Sequence, residues 1–269
     1  MSAVMLSAGG RPVAEYVFAP KLESTLSPRP YLHPVRTLAG TVVTDLLPAD
    51  HLWHLGVSLG VPDVAGANLW GGRSYVHGHG YVWLEDHGEI EHLGWLHVAD
   101  DEVVEELCWR GPDGGTLLNE LRTVRVEGWG DGRAWVLSFS FALANPGTTP
   151  VQLRSPAVNG RGEGAGYGGF FWRLPAIEHT RIAAGALHDE TSINGSAEPS
   201  VTVSGLIDGA PVTLRFSGLD EADRWFVRLA EYPGVGAALA FDRALTIEPG
   251  AVARRRYQVL VVDGVPDRG

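Results

Sequence analysis

Histidine is the side chain best suited to moving protons near neutral pH. Eight of the ten histidines in this chain fall between His33 and His97. His77-Gly78-His79 would place two imidazoles on one face of a strand, and His51-Leu52-Trp53-His54 supplies a second pair. Convergent imidazoles suit general acid–base work or a transition metal. There is no H-E-x-x-H, and no acidic third ligand stands at a diagnostic spacing. Proton transfer without a cofactor is therefore the first expectation. His54 and His79 are the candidate catalytic pair. Glu120, on a strand expected over 117–126, is the assisting carboxylate, and Glu178 and Glu231 are later carboxylates outside any recognisable motif. A metal held by His54, His77 and His79 is a separate alternative.

Three segments combine an aromatic plate with fixed polar groups. They are Arg29-Pro30-Tyr31-Leu32-His33-Pro34, Asn68-Leu69-Trp70-Gly71-Gly72-Arg73, and 166–173, which ends in Phe171-Trp172-Arg173. A pyranose has apolar C–H faces and a rim of hydroxyls, so a sugar site needs this mixture. Arg29 and Arg173 would hold oxygens by charge-assisted hydrogen bonds. Trp70, Tyr81, Tyr167 and Trp172 would form walls, with His33, His51, His77 and Asn68 as further polar contacts. The glycines would let a ligand approach the backbone. Core aromatics and bulge glycines are the plainer reading of the same residues.

Two motif matches lack the context their chemistry requires. Gly164-Ala165-Gly166-Tyr167-Gly168-Gly169 fits G-x-G-x-x-G, but Phe170-Phe171-Trp172-Arg173 continues as strand. No helix N-terminus follows to hold a pyrophosphate. Gly56-Val57-Ser58-Leu59-Gly60 fits a nucleophile elbow, yet Val61-Pro62 follows where a helix should begin.

The elements that must position these residues are strands. In Trp135-Val136-Leu137-Ser138-Phe139-Ser140-Phe141-Ala142-Leu143 the large apolar groups recur at every second residue, which predicts a half-buried strand. Val201-Thr202-Val203-Ser204, Val212-Thr213-Leu214-Arg215-Phe216 and Tyr257-Gln258-Val259-Leu260-Val261 repeat the pattern. Asp-Gly pairs at 113–114, 131–132, 208–209 and 263–264 punctuate the runs, and 201–216 reads as a hairpin turning at Asp208-Gly209. One or two helical turns are expected near 219–223. The longest irregular stretches are 19–40, 61–80 and 155–168, and such loops on a β scaffold tend to carry function. The expected fold is all-β, a two-sheet antiparallel β-sandwich over 1–269 as one domain, with 1–12 a flexible lead-in.

Composition narrows the partners. The chain has 269 residues, 45% of them hydrophobic, and a net charge of −11. Such a surface repels phosphate backbones and anionic lipid, so neither nucleic acid nor membrane is expected as a partner. No window nears the ~18 apolar residues of a spanning helix. Cys108 is the single cysteine and sits in a strand-like run, which fits a reducing, cytoplasmic setting. Homo-oligomerisation is left open.

Several stretches resemble a bacterial family of uncharacterised proteins labelled PmoA-like or methane oxygenase PmoA. They are Arg29 to Pro34 with Thr37 and Gly40, Pro48-Ala49-Asp50-His51-Leu52-Trp53-His54-Leu55-Gly56, Asn68 to Gly72, and Gly166 to Arg173. The resemblance implies a galactose-mutarotase-like supersandwich and carbohydrate handling. Methane oxidation is not expected of a chain with no spanning segment. Expected, then, is a carbohydrate-binding protein with epimerase- or lyase-like acid–base chemistry. A non-catalytic carbohydrate- or partner-binding module and a histidine-ligated metalloenzyme are the alternatives.

Overall fold

The alternation at 135–143 carries directly into structure. Along strand Ala134–Ala144, Trp135, Leu137, Phe139, Phe141 and Leu143 are buried, while Val136, Ser138, Ser140 and Ala142 between them are half-buried. The strand lies inside an eight-stranded antiparallel sheet ordered Glu178–Ala183, Ser200–Ile207, Ala210–Ser217, Val252–Asp263, Ala134–Ala144, Thr116–Trp129, Glu102–Arg110, Glu89–Val98. A second, seven-stranded sheet is ordered Ala3–Ala8, Arg11–Val17, Tyr31–Val35, Val57–Gly60, Gly169–Arg173, Gly234–Ala238, Arg224–Arg228. One buried cluster draws Tyr16, Leu59, Trp172 and Val227 from this sheet and Trp109, Trp135 and Tyr257 from the other. The fold is thus the expected two-sheet antiparallel sandwich. Two small sheets flank it, one of Leu245–Ile247, Val151–Arg154 and Asp63–Val64, the other a hairpin of Ser74–Val76 and Gly80–Val82.

This computed structural model describes residues 2–130, 132–162 and 164–264, so Asp131 of the expected Asp131-Gly132 turn lies outside the described residues. The 201–216 hairpin forms as read. Asp208 and Gly209 both take positive φ, 50° and 77°, the geometry of a type I′ turn whose twist matches the strands. Cys108 is buried on strand Glu102–Arg110. Two local expectations are corrected. The lead-in is strand: Ala3–Ala8 pairs with Arg11–Val17, and Leu6 is fully buried. Residues 219–223 form a turn, with the Asp223 amide donating to the Asp220 carbonyl at 3.0 Å. Asp223 is then committed to Arg255 and Tyr257, which pulls the chain into the next strand. A short helix occurs instead at Glu190–Ile193, capped by the Asp189 side chain. No helix among the described residues is long and apolar enough to cross a membrane.

Strand parity separates two polar regions. On Thr116–Trp129 the buried residues Leu118, Glu120, Arg122, Val124 and Val126 share the core face, so Glu120 and Arg122 point between the sheets. On Gly169–Arg173, Phe170 and Trp172 join the core, and Phe171 and Arg173 point to the opposite face. That opposite face of the seven-stranded sheet carries a separate aromatic cluster built on Trp70, Phe171, Phe226 and Tyr232.

Candidate functional site

A cleft of about 390 Å³ opens on this second cluster, within the size range of small-molecule sites. Its floor comes from the sheet, and four excursions supply its walls. The 45–56 loop docks on strand Gly169–Arg173 through backbone bonds from the Asp45 amide to the Arg173 carbonyl and from the Arg173 amide to the Gly56 carbonyl. It brings His51, Trp53 and His54 to the cleft. The 68–73 loop brings Trp70 and Arg73, the Gly80–Val82 strand brings Tyr81, and the 155–168 loop brings Arg161 and Tyr167. Trp83, Phe226, Arg228, Glu231 and Tyr232 complete the lining. A broader groove of about 560 Å³ lies over the eight-stranded sheet beside Leu121, Thr123 and Arg254, but no histidine lines it.

Two residues expected to touch ligand instead build the walls. Arg29 is fully buried and donates to the Trp53 and Trp70 carbonyls, each at 2.9 Å, and to the Ser27 carbonyl at 3.0 Å. It ties the two tryptophan loops together. Its Nε also reaches Ser58 Oγ at 3.3 Å, which commits Ser58 to a buried strand, with no elbow. Asn68 is equally committed. Its Oδ1 accepts from the Trp70 and Gly71 amides, and its Nδ2 donates to the Gly72 carbonyl and Ser74 Oγ. The glycines of this loop make room for Trp53: a Cβ on Gly72 would stand 2.6 Å from the indole ring. The close approach is protein against protein.

The polar centre of the cleft is a relay of charge. His51 Nδ1 hydrogen-bonds Asp50 Oδ2 at 2.9 Å, and Arg173 Nη2 donates to both Asp50 oxygens at 3.2 Å. Partial burial works against the Asp50 carboxylate. The bond from His51 and the charge of Arg173 outweigh it and hold the carboxyl below its ordinary range. The His51 ring stacks on His54, with centroids 4.6 Å apart and planes 14° apart. His54 is buried against Trp70, Phe171 and Tyr232. Burial first, then the positive surroundings of His51, Arg173 and Arg29, push its pKa well below that of a free imidazole. It is a neutral ring at pH 7, and its Nδ1 has no hydrogen-bond partner. Arg173 lies over the Tyr232 ring at 4.9 Å; its Nε stands 3.9 Å from Asp45 Oδ2, and neither Nε nor Nη1 has a hydrogen-bond partner. Tyr81 and Tyr167 meet hydroxyl to hydroxyl at 3.1 Å across the wall, and burial raises the pKa of both.

The expected residues divide cleanly. His51, His54, Trp70, Tyr81 and Tyr167 line the cleft, and Arg173 stands behind Tyr232. Trp172 is a core residue, fully buried, with its Nε1 donating to the Val43 carbonyl. His33 bonds Thr44 Oγ1 at 2.9 Å outside the cleft lining. His77 and His79 are exposed at the tip of the small hairpin, apart from His54. Among the described residues no three His, Cys, Asp or Glu side chains come together as a metal-ligand group. Glu120 belongs to the core network, where it accepts from Trp109 Nε1 at 2.7 Å and from Arg122 at 2.6 and 2.9 Å. Unforeseen lining residues are Trp53, Arg73, Trp83, Arg161, Phe226, Arg228 and Tyr232. Phe226 and Arg228 were within reach of strand parity on Arg224–Arg228, whose Trp225 and Val227 face the core.

An antiparallel sandwich bearing an aromatic, histidine-centred cleft defines the architecture. The chain belongs to a family of unknown function, DUF6807, which it matches over residues 3–269. That match does not carry the PmoA label. No curated protein matches the chain. Similar solved structures include an α-galactosidase from Lactobacillus brevis, at 10% identity and a TM-score of 0.48. The likeness covers 97% of this chain but only 39% of the α-galactosidase. Another is a galactose mutarotase related enzyme from Lactobacillus acidophilus, at 11% identity and a TM-score of 0.47, covering 98% of this chain and 99% of that one.

Proposed function

We propose that the protein binds a sugar or sugar derivative in the cleft and moves a proton on it, with His51 as the exchanging group. The observation that supports this most is the Asp50–His51 pair at the wall of a cleft lined with aromatic rings. With Nδ1–H donating to Asp50, the His51 Nε2 lone pair is left to accept a proton, and the carboxylate stabilises the imidazolium that results. Arg173 fixes Asp50, so the orientation of His51 is set before ligand arrives. Trp70 and Tyr167 offer apolar faces for C–H groups, and Tyr81 and Tyr232 offer hydroxyls to the ring oxygens. His54, neutral and buried, packs His51 from behind and is the weaker candidate for proton transfer. His79 and Glu120 have no part in this reading.

The test is proton NMR of a saccharide panel incubated with the protein in D2O. Expected is loss of a sugar C–H signal, or faster interconversion of anomers, with wild type but not with His51→Gln. A non-catalytic binding module is favoured by one feature: Glu231 at the rim is the single carboxylate among the described lining residues. Sugar binding by wild type with neither exchange nor interconversion would establish that second reading in place of the first.

A further inference from the structure

The cleft carries charge of the opposite sign to the molecule around it. The chain is net −11, yet among the described residues its cleft is lined by Arg73, Arg161 and Arg228 against Glu231 alone. Arg228 is partly spoken for, since it donates to the Gly164 and Val227 carbonyls and stands 3.7 Å from Glu190. Arg73 and Arg161 are exposed and pair with no carboxylate among the described residues. Each is held instead by an aromatic ring of the cleft. Arg73 lies over Trp83 at 5.8 Å and Arg161 over Tyr81 at 4.9 Å. A guanidinium stacked on a ring keeps its planar fork free for an oxyanion. A low-dielectric cleft focuses such a field, so the local attraction for an anion outlasts the repulsion of the acidic surface.

Resting on the carbohydrate reading above, we infer that the ligand is an anionic sugar whose carboxylate or phosphate sits between Arg73 and Arg161, with the ring inside the aromatic walls. An exposed arginine pair on an acidic protein would ordinarily find acidic neighbours; here it borders the one cleft that holds the stacked histidines. The anion-binding role is a matter of specificity and is separable from proton transfer at His51.

Calorimetric titration of the full chain with galactose, galacturonate, galactose 6-phosphate and inorganic phosphate tests this. Galacturonate or galactose 6-phosphate should bind at least about tenfold tighter than galactose, the advantage of one charge-assisted contact. The two arms show which oxyanion is preferred. The advantage should shrink as salt rises from about 0.05 to about 0.5 M. It should vanish in the Arg73→Gln, Arg161→Gln double variant, read as the ratio of anionic-sugar to galactose affinity, with an unchanged thermal unfolding midpoint showing that the exposed positions leave folding intact. Equal affinity for galactose and both anionic sugars overturns the inference and leaves the carbohydrate reading standing. Inorganic phosphate binding as tightly as galactose 6-phosphate also overturns it, as a general anion site. Failure of every sugar to bind sinks both readings.

Discussion

Two regions of this molecule contain the same ingredients of histidine, carboxylate, arginine and aromatic ring, and they do opposite things with them. Between the sheets, Glu120 and Glu105 flank Arg122. Glu120 is closed by Trp109 and Arg122, and Glu105 by Tyr16 and by His92 Nδ1 at 2.6 Å. Arg122 also donates to Tyr16 Oη at 3.1 Å and lies over Phe139. Burial raises the Glu105 pKa and lowers that of Arg122, but the adjacent Glu120 more than restores Arg122, which stays charged. None of these side chains has a buried polar atom without a hydrogen-bond partner, and none of them lines the cleft. At the cleft, His54 Nδ1 is buried without a hydrogen-bond partner, as are Nε and Nη1 of Arg173 behind Tyr232, although Asp45 and Asp50 balance the Arg173 charge. Charged residues signal chemistry when their bonding capacity is unspent and faces a void; closed on itself, the same set is a structural pin.

Breaking the closed region should cost most. Arg122→Met leaves two buried carboxylates without their counter-charge and should destabilise by roughly 3–5 kcal/mol in urea unfolding. Sugar affinity of the folded fraction should be unchanged. A variant that keeps its stability but loses ligand would move the site into the core. Smaller is the loss in Arg29→Met, which strips the Trp53 and Trp70 carbonyls of a buried donor but leaves no buried carboxylate without its counter-charge, about 2 kcal/mol in all. Because Arg29 positions both tryptophans, this variant should lose stability and ligand affinity together, read by thermal unfolding and calorimetry. Loss of only one would separate the wall from the scaffold.

The pH dependence sharpens the contrast further. His54 and His33 are held below their unfolded pKa by burial, so the unfolded chain binds more protons than the native one below about pH 6.5. Native stability should therefore be full above that pH and fall as the solution is acidified, by up to about 1.4 kcal/mol per pH unit for the buried His54 and by less for the half-buried His33. His54→Gln should flatten the urea-derived profile; an unchanged slope would show that His54 is not held neutral. Least of all, His77→Ala and His79→Ala should change stability by no more than about 0.5 kcal/mol and leave ligand binding alone.

Much of the scaffold was legible because alternation is a local property. Trp135 to Leu143 could bury one face only as a strand, and Asp208-Gly209 could turn only as a tight hairpin. The site was legible where a residue and its loop travel together, as with His51, His54 and Trp70. Elsewhere parity was available and unused. Trp172 and Arg173 are consecutive on a strand and cannot both face the same cleft, and Glu120 shares a face with Leu118 and Val124. His79 misled because an H-x-H pair on a strand was expected, whereas Gly78, with positive φ, makes it the tip of a hairpin. Tyr232 and Arg161 were invisible because only the packing of distant loops brings them to His51, and spacing along the chain holds no trace of that.

The most direct measurement of the central claim is the long-range proton–nitrogen NMR spectrum of the histidine side chains, recorded as the protein is titrated with galactose and with galacturonate. The account predicts that the His51 and His54 imidazole signals shift with a common saturation curve while His92, locked to Glu105, stays still. Movement of His92 with His51 and His54 unmoved would place ligand at the core network and contradict it.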